Sequence, residues 1–529
     1  MNWKKTMEGN TVEEYVSNKT GMSLAQLTYI APQYNIYRLH EVRDALFQAK
    51  QFGIPVQLIS DYDDDGIQST LIMTYIFAAL GLNYHLIIPK RFSEGYGLSM
   101  KIIERIPDGC LLITIDNGIK AVDPIAEAKR RNMKVIILDH HEAGKQLPDA
   151  DIIVDPKAVG NDDYKEYCGA GIAYKLAELI FGRNHPIMMK LACFAAIGTI
   201  GDNVPLTGDN RKIVIDGLNC MKAQKSTPGL NMLLEAQRFS EGSTATDIAF
   251  NIVPVLNACG RLKDDGAKLG VIALAEVGDD KQNQVNELLD LNETRKKLVE
   301  EALNRIDLNV MAYSKERSIF VIDNQIPLGI VGIVAGKISE YTGKPAFVLT
   351  KDIQSGFYKG SARSKSDDYG LAELLNLHGD LLVGFGGHKK AAGLTIKEEN
   401  ISVLKSRLEM NLPDVIFDDS ISYDIEVSEA AFPFVASQIL ALEPFGEDNP
   451  TPIIRIKMTV TEVKFLGKNK DTLKFCGNGY EAIMFHATDK ISELPQNVTK
   501  IDLIGKVGVN VFKNKRTTQI NVVDFEIIN

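Results

Sequence analysis

Short runs of aliphatic and β-branched residues alternate with helical stretches over the first 200 residues of the chain. Runs at 55–60, 111–115, 135–138 and 152–154 have the length and composition of buried strands. Strands that alternate with helices pair in parallel, because each helix returns the chain to the same end of the sheet. This pattern predicts an α/β fold built on a parallel sheet.

Two further parts of the chain are predicted from periodicity. The segment at 281–306 has apolar residues at helical spacing and contains no Gly or Pro, so we expect one long connecting helix. After it, strand-like runs at 318–322 and 346–349 flank a helical run at 331–340. These runs indicate a second, smaller α/β unit.

The last part of the chain is typical of a small OB-like β-barrel. Apolar and polar residues alternate over 421–427 and again from residue 453, with turn signals between the runs. The whole chain has a net charge of −10, but residues 451–529 contain twelve Lys and Arg against eight Asp and Glu. Any contact with a polyanion is therefore expected to be local.

Composition indicates a cytoplasmic protein that makes no contact with a membrane. No apolar run reaches the roughly 20 residues of a membrane span, and the first ten residues lack a signal-peptide pattern. The six cysteines include no C-x-x-C pair, so neither a disulfide framework nor a zinc site is indicated. A reducing compartment is consistent with both observations.

Acidic residues follow the first predicted strand directly. Asp61, Asp63 and Asp65 come after the run that ends at Ser60, at the end of the strand where open α/β sheets bind ligands. Carboxylates that project to one side at close range need protons or cations between them, and a divalent metal is the simplest partner. An EF-hand calcium loop begins with the same pattern, but its twelfth residue is Glu, whereas this chain has Ile72.

Ligand-type residues also follow other predicted elements. Asp116 ends the second strand run, Asp139, His140 and His141 end the third, and Asp202 follows an apolar helical stretch. We expect these side chains to converge, because the carboxyl ends of parallel strands meet at one edge of the sheet. An imidazole among carboxylates suits Mn²⁺ better than Ca²⁺, and a pair of ions ~3.5 to 4 Å apart would suit the hydrolysis of phosphate esters.

Several motifs, in their order along the chain, resemble those of the DHH phosphoesterase superfamily. They are D-Y-D-D-D-G from residue 61, I-D-N-G from 115, D-H-H from 139 and G-D-N-V-P-L from 201. Further segments resemble the RecJ branch of single-strand-specific exonucleases, and they lie at 256–262, 329–336, 360–364, 386–393 and 443–450. The resemblance implies a DHH domain at 1–205, a helical connector at 206–312, a DHH-associated domain at 313–413 and an OB-like domain at 414–529.

The resemblance also implies roles for individual residues. One metal ion would be bound by Asp63, the other by Asp65, His140 and Asp202, with Asp116 between the two ions. His141 and Arg261 would orient the scissile phosphate. The superfamily usually has a histidine two residues before the first aspartate, where this chain has Ile59. Asp61 or water would then complete the first site, or that site would be weaker.

A glycine-rich segment near residue 386 lacks the G-K-[S/T] ending of a P-loop, so binding of a nucleoside triphosphate is not indicated. The resemblance implies instead that this segment and an earlier one bind the end of a nucleic-acid strand through Arg363, Ser364, Gly386, Gly387 and His388. Without the resemblance, a structural turn explains the glycines equally well.

Aromatic and basic residues interleave in the last part of the chain, as they do in OB-type domains that stack bases on rings. They are Phe465, Phe475, Tyr480, Phe485 and Phe512, with Lys464, Lys468, Lys470, Lys513, Lys515 and Arg516. The alternative is that the rings fill the core of the domain and the lysines keep it soluble.

Taken with the resemblance, these observations predict a metal-dependent exonuclease that hydrolyses single-stranded DNA to nucleoside 5′-monophosphates in DNA repair and recombination. The resemblance alone implies the 5′→3′ direction. Two divalent ions are expected, with Mn²⁺ favoured over Mg²⁺. The expected partners of this monomer are single-stranded DNA and a single-strand-binding protein or a helicase. One alternative is a DHH phosphodiesterase for short oligonucleotides or cyclic dinucleotides, and another is an inactive DHH scaffold that binds single strands.

Overall fold

A computed structural model describes residues 3–28, 34–276, 278–415, 420–467, 469–492, 494–495, 497–512 and 515–528. The chain divides into two compact units. The first unit comprises Met1–Pro254, Gly270–Val285 and Ser420–Asn529, and the second comprises Val255–Leu269 and Asn286–Asp419.

Helices and strands alternate along most of the chain. Up to residue 201 the described elements are β1 (Trp3–Lys5), α1 (Val12–Thr20), α2 (Leu24–Thr28), α3 (Leu39–Phe52), β2 (Val56–Ile59), α4 (Asp64–Leu80), β3 (Tyr84–Ile87), α5 (Met100–Ile103), β4 (Leu111–Ile115), α6 (Val122–Arg130), β5 (Lys134–Leu138), β6 (Ile152–Val154), α7 (Gly169–Phe181) and α8 (Ile187–Gly201). From residue 208 to 313 they are α9 (Gly208–Lys222), α10 (Pro228–Ala236), α11 (Ala245–Asp247), a π-helical turn (Ile248–Ile252), α12 (Val253–Leu262), α13 (Gly266–Leu274), α14 (Lys281–Asn304) and α15 (Leu308–Tyr313). From residue 319 to 411 they are β7 (Ile319–Ile322), α16 (Val331–Thr342), β8 (Ala346–Lys351), β9 (Tyr358–Arg363), α17 (Leu371–Leu377), β10 (Leu382–Gly387), β11 (Ala391–Ile396) and α18 (Ile401–Asn411), with short 3₁₀ turns between them. The last elements are β12 (Ile421–Tyr423), β13 (Ile425–Val427), α19 (Phe432–Leu440), β14 (Ile453–Thr459), β15 (Glu462–Leu466), β16 (Thr472–Cys476), β17 (Glu481–Met484), α20 (Thr488–Ser492), β18 (Lys500–Phe512) and β19 (Lys515–Ile527).

The first unit contains the predicted parallel sheet, with strand order β3-β2-β4-β5-β6. Every residue of β2 and β4 is buried. A parallel sheet that is covered on both faces needs apolar side chains at successive positions, which explains why these strands read as continuous apolar runs. Residues from α5 and α6, such as Ile102 and Ile125, pack with Leu112 and Ile137 on one face.

The second unit contains a mixed sheet, with strand order β10-β11-β9-β8-β7. β7 and β8 pair in parallel and the other neighbours pair antiparallel. The predicted long helix is α14, and its last turns pack through Val299 and Ala302 against the apolar side chains of α16 and β8. The predicted second α/β unit is therefore present.

The carboxyl-terminal strands form a seven-stranded sheet, with strand order β13-β14-β18-β19-β17-β16-β15. Among the described residues, no pairing joins the two outer strands of this sheet. The residues of the first segment belong to the same core, since Val12, Tyr15 and Val16 pack with Phe432 and Phe475. β1 pairs in parallel with β12. The amino-terminal segment thus packs against the carboxyl-terminal strands, although sequence analysis grouped it with the parallel sheet.

Hydrogen bonds hold the segment at 443–450, which is one of the segments that resemble the RecJ branch. Asn449 Nδ2 donates hydrogen bonds to the carbonyl oxygens of Leu442 and Pro444, both at 2.9 Å. Arg211 of α9 donates to the carbonyl oxygens of Leu442 and Glu443 at 2.7 and 2.6 Å. This segment therefore anchors the carboxyl-terminal strands to the helices that follow the parallel sheet.

Two expectations from composition can be compared with the structure. All six cysteines are free thiols, as expected from their spacing. Among the described residues, no helix is both long and apolar enough to cross a lipid bilayer.

Candidate active site

Neighbouring strands of the parallel sheet bring the predicted ligand residues to one edge. Asp61 and Asp63 follow β2, Asp116 follows β4 and His140 follows β5, and these three strands are adjacent in the sheet. Asp202 comes directly after α8. The convergence expected from the strand ends is therefore present in the structure.

His140 lies among three of these carboxylates. Its Nε2 atom is 3.1 Å from Asp116 Oδ1, 3.6 Å from Asp202 Oδ2 and 4.0 Å from Asp65 Oδ2. Three sets of side chains place their ligand atoms within 4.8 Å of one another, and the sets are Asp61, Asp63 and Asp116; Asp65, His140 and Asp202; and Asp116, His140 and His141. Asp116 belongs to two of the sets, which is the geometry a bridging carboxylate needs.

Asp65 is held by the amino terminus of α7. Its carboxylate accepts hydrogen bonds from the backbone N–H groups of Gly169 and Ala170, at 2.6 and 2.9 Å, where the helix dipole favours negative charge. A Cβ atom at Gly169 would lie 2.9 Å from Asp65 Oδ2, and one at Gly198 of α8 would lie 2.6 Å from Asp65 Oδ1. Glycine at these two positions lets the helix backbones approach the carboxylate.

The turn after β4 determines the direction of Asp116. Asp116 has a left-handed backbone with φ of 61°, a conformation that Asp and Asn tolerate better than most residues. The side chain of Asn117 stabilises the turn, because its Nδ2 donates to the carbonyl oxygens of Ile115 and Ile59 at 2.8 and 3.2 Å. The D-N-G sequence is therefore a turn that places the Asp116 carboxylate within 3.1 Å of His140 Nε2.

The two histidines differ in their electrostatics. Burial lowers the pKa of His140 to about 4, so its imidazole is neutral and can act as a ligand. Burial alone would also lower the pKa of His141, but the carboxylate of Asp139, 2.7 Å from His141 Nδ1, raises it to about 9. His141 is therefore a cation beside the cluster, and its hydrogen bond with Asp139 fixes the orientation of the ring.

The carboxylates of the cluster repel one another, and a divalent metal ion would remove this repulsion. Burial and the neighbouring carboxylates raise the pKa values of Asp61, Asp116 and Asp202 well above the ordinary range. Asp61 Oδ1 and His140 Nδ1 are buried and make no hydrogen bond. A set of clustered oxygen and imidazole donors of this kind fits divalent ions of the Mn²⁺ or Mg²⁺ type.

Ile59 does not take part in the cluster. Its side chain is fully buried and packs with Leu112 and Ile137 in the apolar core under the sheet. Asp61 lies in one ligand set with Asp63 and Asp116. The completion of the first site by Asp61 therefore stays a prediction, supported by the closeness of Asp61 to Asp63 and Asp116.

Three residues beside the cluster were not predicted from the sequence. Tyr62 follows β2, and Arg91 and Tyr96 follow β3. The guanidinium carbon of Arg91 lies 4.7 Å from the centre of the Tyr62 ring, and the rings of Tyr62 and Tyr96 meet edge to face at 6.4 Å. Tyr96 Oη donates to the carbonyl oxygen of Asp116 at 3.2 Å. The available signal was the position of Arg91 and Tyr96 just beyond β3, at the same edge of the sheet.

Asp155 is another residue that sequence analysis did not identify. It follows β6 and is almost completely buried. Its Oδ1 accepts from the backbone N–H groups of Lys157 and Ala158 at 3.0 and 3.2 Å. Burial, together with the charge of Asp139, raises the pKa of Asp155 to about 7.

The predicted substrate-binding residues belong to the second unit. Arg363 ends β9, and its Nη1 donates to Ser361 Oγ at 2.6 Å. Ser364 N donates to the carbonyl oxygen of Lys390 at 2.9 Å, which places Ser364 beside the turn that contains His388. The structure therefore brings together five of the predicted residues, which are Arg363, Ser364, Gly386, Gly387 and His388.

Gly387 and Arg261 each have a structural role in the second unit. Gly387 has φ of +151°, and a Cβ atom there would lie 2.3 Å from the carbonyl oxygen of Ala391, so this turn requires glycine. Arg261 ends α12 next to Leu262, and its Nη1 donates to the carbonyl oxygen of Gly329 at 3.4 Å. These contacts are structural, and the predicted contacts of both residues with a substrate stay a prediction.

The aromatic residues of the carboxyl-terminal strands divide into two groups. Phe475 and Tyr480 are buried, so the prediction that they stack on bases is wrong and the alternative, that they fill the core, applies to them. Phe465 and Phe485 are 45% and 58% exposed. Lys468 and Lys513 lie outside the described residues, and the side chains of Phe512 and Lys515 lie outside the described side chains.

Three family models match the chain. The DHH family N-terminal domain matches residues 55–199, the DHHA1 domain 315–412 and the RecJ OB domain 423–524. The single-stranded-DNA-specific exonuclease RecJ of Bacillus subtilis is 32% identical over 504 residues, which cover 92% of this chain and 63% of that protein. The protein of the same name from Salmonella typhimurium is 30% identical over 520 residues, covering 91% of this chain and 89% of that protein.

A solved structure is similar over nearly the whole chain. The crystal structure of RecJ in complex with Mn²⁺ from Thermus thermophilus has a TM-score of 0.79 and 28% identity, and the match covers 97% of this chain and 75% of that chain. A structure of the same protein in complex with Mg²⁺ has a TM-score of 0.72 and 26% identity, with 98% and 75% covered. This chain spans less than two thirds of the Bacillus subtilis relative but most of the Salmonella one. The chain belongs to the RecJ family of single-stranded-DNA-specific exonucleases.

Proposed function

We propose that this chain is a metal-dependent exonuclease that hydrolyses phosphodiester bonds in single-stranded DNA. The observation that carries the proposal is the position of His140 Nε2 within 4.0 Å of Asp65, Asp116 and Asp202 in a chain of the RecJ family. A buried imidazole among two buried carboxylates and one half-buried carboxylate is arranged to bind cations, and an exonuclease of this family needs such a centre to cleave a polyanion.

The ligand sets support a centre for two ions. Asp61 and Asp63 would hold one ion, Asp65, His140 and Asp202 would hold the other, and Asp116 would contact both. Divalent ions in such a centre lower the pKa of bound water and neutralise charge on the phosphate. The imidazole favours Mn²⁺ over Mg²⁺, and the Thermus thermophilus relative was solved with each of these ions.

Cationic side chains beside the cluster would orient the phosphate. His141 is held as a cation by Asp139 at 2.7 Å, so it can donate a charge-assisted hydrogen bond to a phosphate oxygen. The Arg91 guanidinium rests against the Tyr62 ring and is close enough to Asp61 to lower the pKa of that carboxyl, which burial raises, so it would add positive charge near the phosphate.

The second unit would hold the end of the strand. The exposed backbone of Gly386 and Gly387 beside His388 can approach a phosphate closely, and Arg363 and Ser364 lie next to this turn. Arg261 would contact a phosphate of the substrate. These roles are supported by the resemblance of the segments at 360–364 and 386–393 to the DHH-associated domain.

Several finer features of the proposal are supported by membership in the family. They are the 5′→3′ direction, the release of nucleoside 5′-monophosphates, a cytoplasmic monomer, and a single-strand-binding protein or helicase as partner. The boundaries near residues 205, 312 and 413 are supported by the positions of the three family matches.

Digestion of end-labelled single strands with Mn²⁺ tests the proposal. The chain should degrade a long single strand and release labelled mononucleotides from its 5′ end, and Asp116→Ala should abolish the reaction while single-strand binding is retained in large part. Asp149→Asn, which changes an exposed carboxylate between β5 and β6, is the control and should digest DNA normally. Preference for a dinucleotide over the long strand would favour the alternative phosphodiesterase, and normal digestion by Asp116→Ala would contradict the metal assignment.

A further inference from the structure

Two of the three ligand sets in the candidate metal centre have no residue in common, and they differ in their donor atoms. The carboxylate set consists of the side chains of Asp61, Asp63 and Asp116, and the imidazole set consists of Asp65, Asp202 and the ring of His140. One set therefore offers oxygen alone, and the other offers oxygen and nitrogen.

Asp61 is built to serve as a ligand in the carboxylate set. Asp61 is 3% exposed, and its Oδ1 makes no hydrogen bond to any residue that the structure describes. The backbone fixes its position, because a Cβ atom at Gly66 would lie 2.4 Å from the Asp61 carbonyl oxygen, so the first turn of α4 packs directly on that peptide group. A buried carboxylate oxygen without a donor is costly, and a cation would remove this cost.

β2 contributes no imidazole to the carboxylate set. Ile59, the last residue of this strand, is fully buried among apolar side chains that include Leu112 and Ile137. The first histidine after β2 along the chain is His85, which lies exposed on β3. The carboxylate set thus has oxygen as its donor type.

Donor type determines which ions a site distinguishes. Carboxylate oxygens bind both Mg²⁺ and Mn²⁺, whereas an imidazole nitrogen shifts the preference toward the transition ion. We infer that the centre holds two different ions when both are available, with Mn²⁺ retained by the imidazole set and Mg²⁺ replacing Mn²⁺ in the carboxylate set. This inference rests on the proposed function, because it requires that these sets bind the ions.

Electron paramagnetic resonance of the metal-free full chain loaded with Mn²⁺ tests this inference. Two Mn²⁺ ions should bind per chain and give the broadened spectrum of a spin-coupled pair. Excess Mg²⁺ should then release one Mn²⁺ and, once the released ion has been removed by gel filtration, leave one bound Mn²⁺ per chain with the six-line spectrum of an isolated ion. The second Mn²⁺ should need an Mg²⁺ concentration at least about tenfold higher for its release. Release of both ions at the same Mg²⁺ concentration, or of neither ion, would overturn the inference.

Two variants assign the ions to their sets. Asp61→Asn should bind one Mn²⁺, without a coupled spectrum, and this ion should resist Mg²⁺. His140→Asn should bind no Mn²⁺ that resists Mg²⁺. The controls are Asp149→Asn and His85→Asn, which change an exposed carboxylate and an exposed imidazole and should behave like the unmodified chain. Circular dichroism checks that each variant is folded.

The experiment separates failure of the inference from failure of the proposed function. If the unmodified chain binds no Mn²⁺, the proposed metal centre itself is wrong. If it binds two Mn²⁺ ions that Mg²⁺ displaces equally, the centre stands and the inference about its two sets is wrong. If Asp61→Asn still gives a coupled pair, Asp61 is not a ligand and the carboxylate set is incorrectly assigned.

Discussion

Removal of the Asp139 carboxylate should convert His141 from a cation into a neutral side chain. In the metal-free protein, the hydrogen bond and charge of Asp139 overcome the effect of burial and raise the pKa of His141 to about 9. Asp139→Asn leaves burial without this compensation, so we expect the pKa of His141 to fall to its ordinary value or below. The Asp139 carboxylate also accepts hydrogen bonds from backbone N–H groups, through Oδ2 from Ile119 at 2.9 Å and through Oδ1 from His140 at 2.8 Å. Asparagine keeps an acceptor oxygen on one side only, so the variant also loses some stability that does not depend on the protonation of His141.

The size of the effect follows from the pKa. The difference between about 6.5 and about 9 corresponds to roughly 3 kcal/mol. The His141 side chain is 35% exposed, so solvent screening should reduce the contribution to stability to roughly 1.5 kcal/mol. Because the pKa is raised in the folded state, this contribution is complete below about pH 6.5, declines as the pH rises and is lost above about pH 9.

Two measurements on the metal-free protein check this reasoning. Nuclear magnetic resonance of labelled histidines should give a titration of His141 near pH 9, moved to pH 6.5 or below in Asp139→Asn. Urea unfolding should show that the stability deficit of the variant is larger below pH 6.5 than above pH 9 by roughly 1.5 kcal/mol. Asp149→Asn is the matched control. A titration of His141 near 6.5 in the unmodified protein, or a deficit that grows with pH, would refute the assigned role of Asp139.

Three further predictions concern other parts of the molecule. Gly198→Ala places a Cβ atom 2.6 Å from Asp65 Oδ1, so it should lower the free energy of unfolding by about 1 to 3 kcal/mol and weaken Mn²⁺ binding. Gly336→Ala is the control, because no atom lies within 4 Å of the Cβ position there. Equal Mn²⁺ affinity in both variants would contradict the tight packing around Gly198. Trp3→Ala removes the 2.9 Å hydrogen bond to Asp524 and should destabilise the carboxyl-terminal strands by about 1 to 3 kcal/mol. In the unmodified chain, the fluorescence of Trp3, the single tryptophan, should change when those strands unfold. Unfolding without a fluorescence change would exclude the packing of Trp3 against them. Single-strand affinity should fall steeply as salt rises, measured by fluorescence anisotropy, and an affinity indifferent to salt would count against phosphate contacts.

The sequence alone was sufficient for the elements that have a local signal. β2, β4, β5 and β6 were predicted within one or two residues, because a strand buried on both faces must be apolar at successive positions. The helix α14 was predicted for the same kind of reason, since its apolar residues repeat at helical spacing. The candidate ligands were found because they directly follow such strands, where parallel sheets bind ligands.

Other features required the tertiary structure. Gly169 and Gly198 lie far from Asp65 in the sequence, and only packing of α7 and α8 on the carboxylate shows why glycine is needed there. Arg91 and Tyr62 were not identified, because an arginine near an aromatic ring has no local pattern.

A relationship between residues far apart in the sequence joins the first strand to the carboxyl-terminal part of the chain. Trp3 of β1 pairs with Ile421 of β12, and no periodicity near residue 3 indicates this partner. Apolar periodicity reports which face of an element is buried, but it does not report what covers that face. Local pattern therefore determined the strands, the long helix and the acidic strand ends, whereas the side chains that surround the candidate ligands, and the partner of the first strand, were decided by contacts between residues remote in sequence.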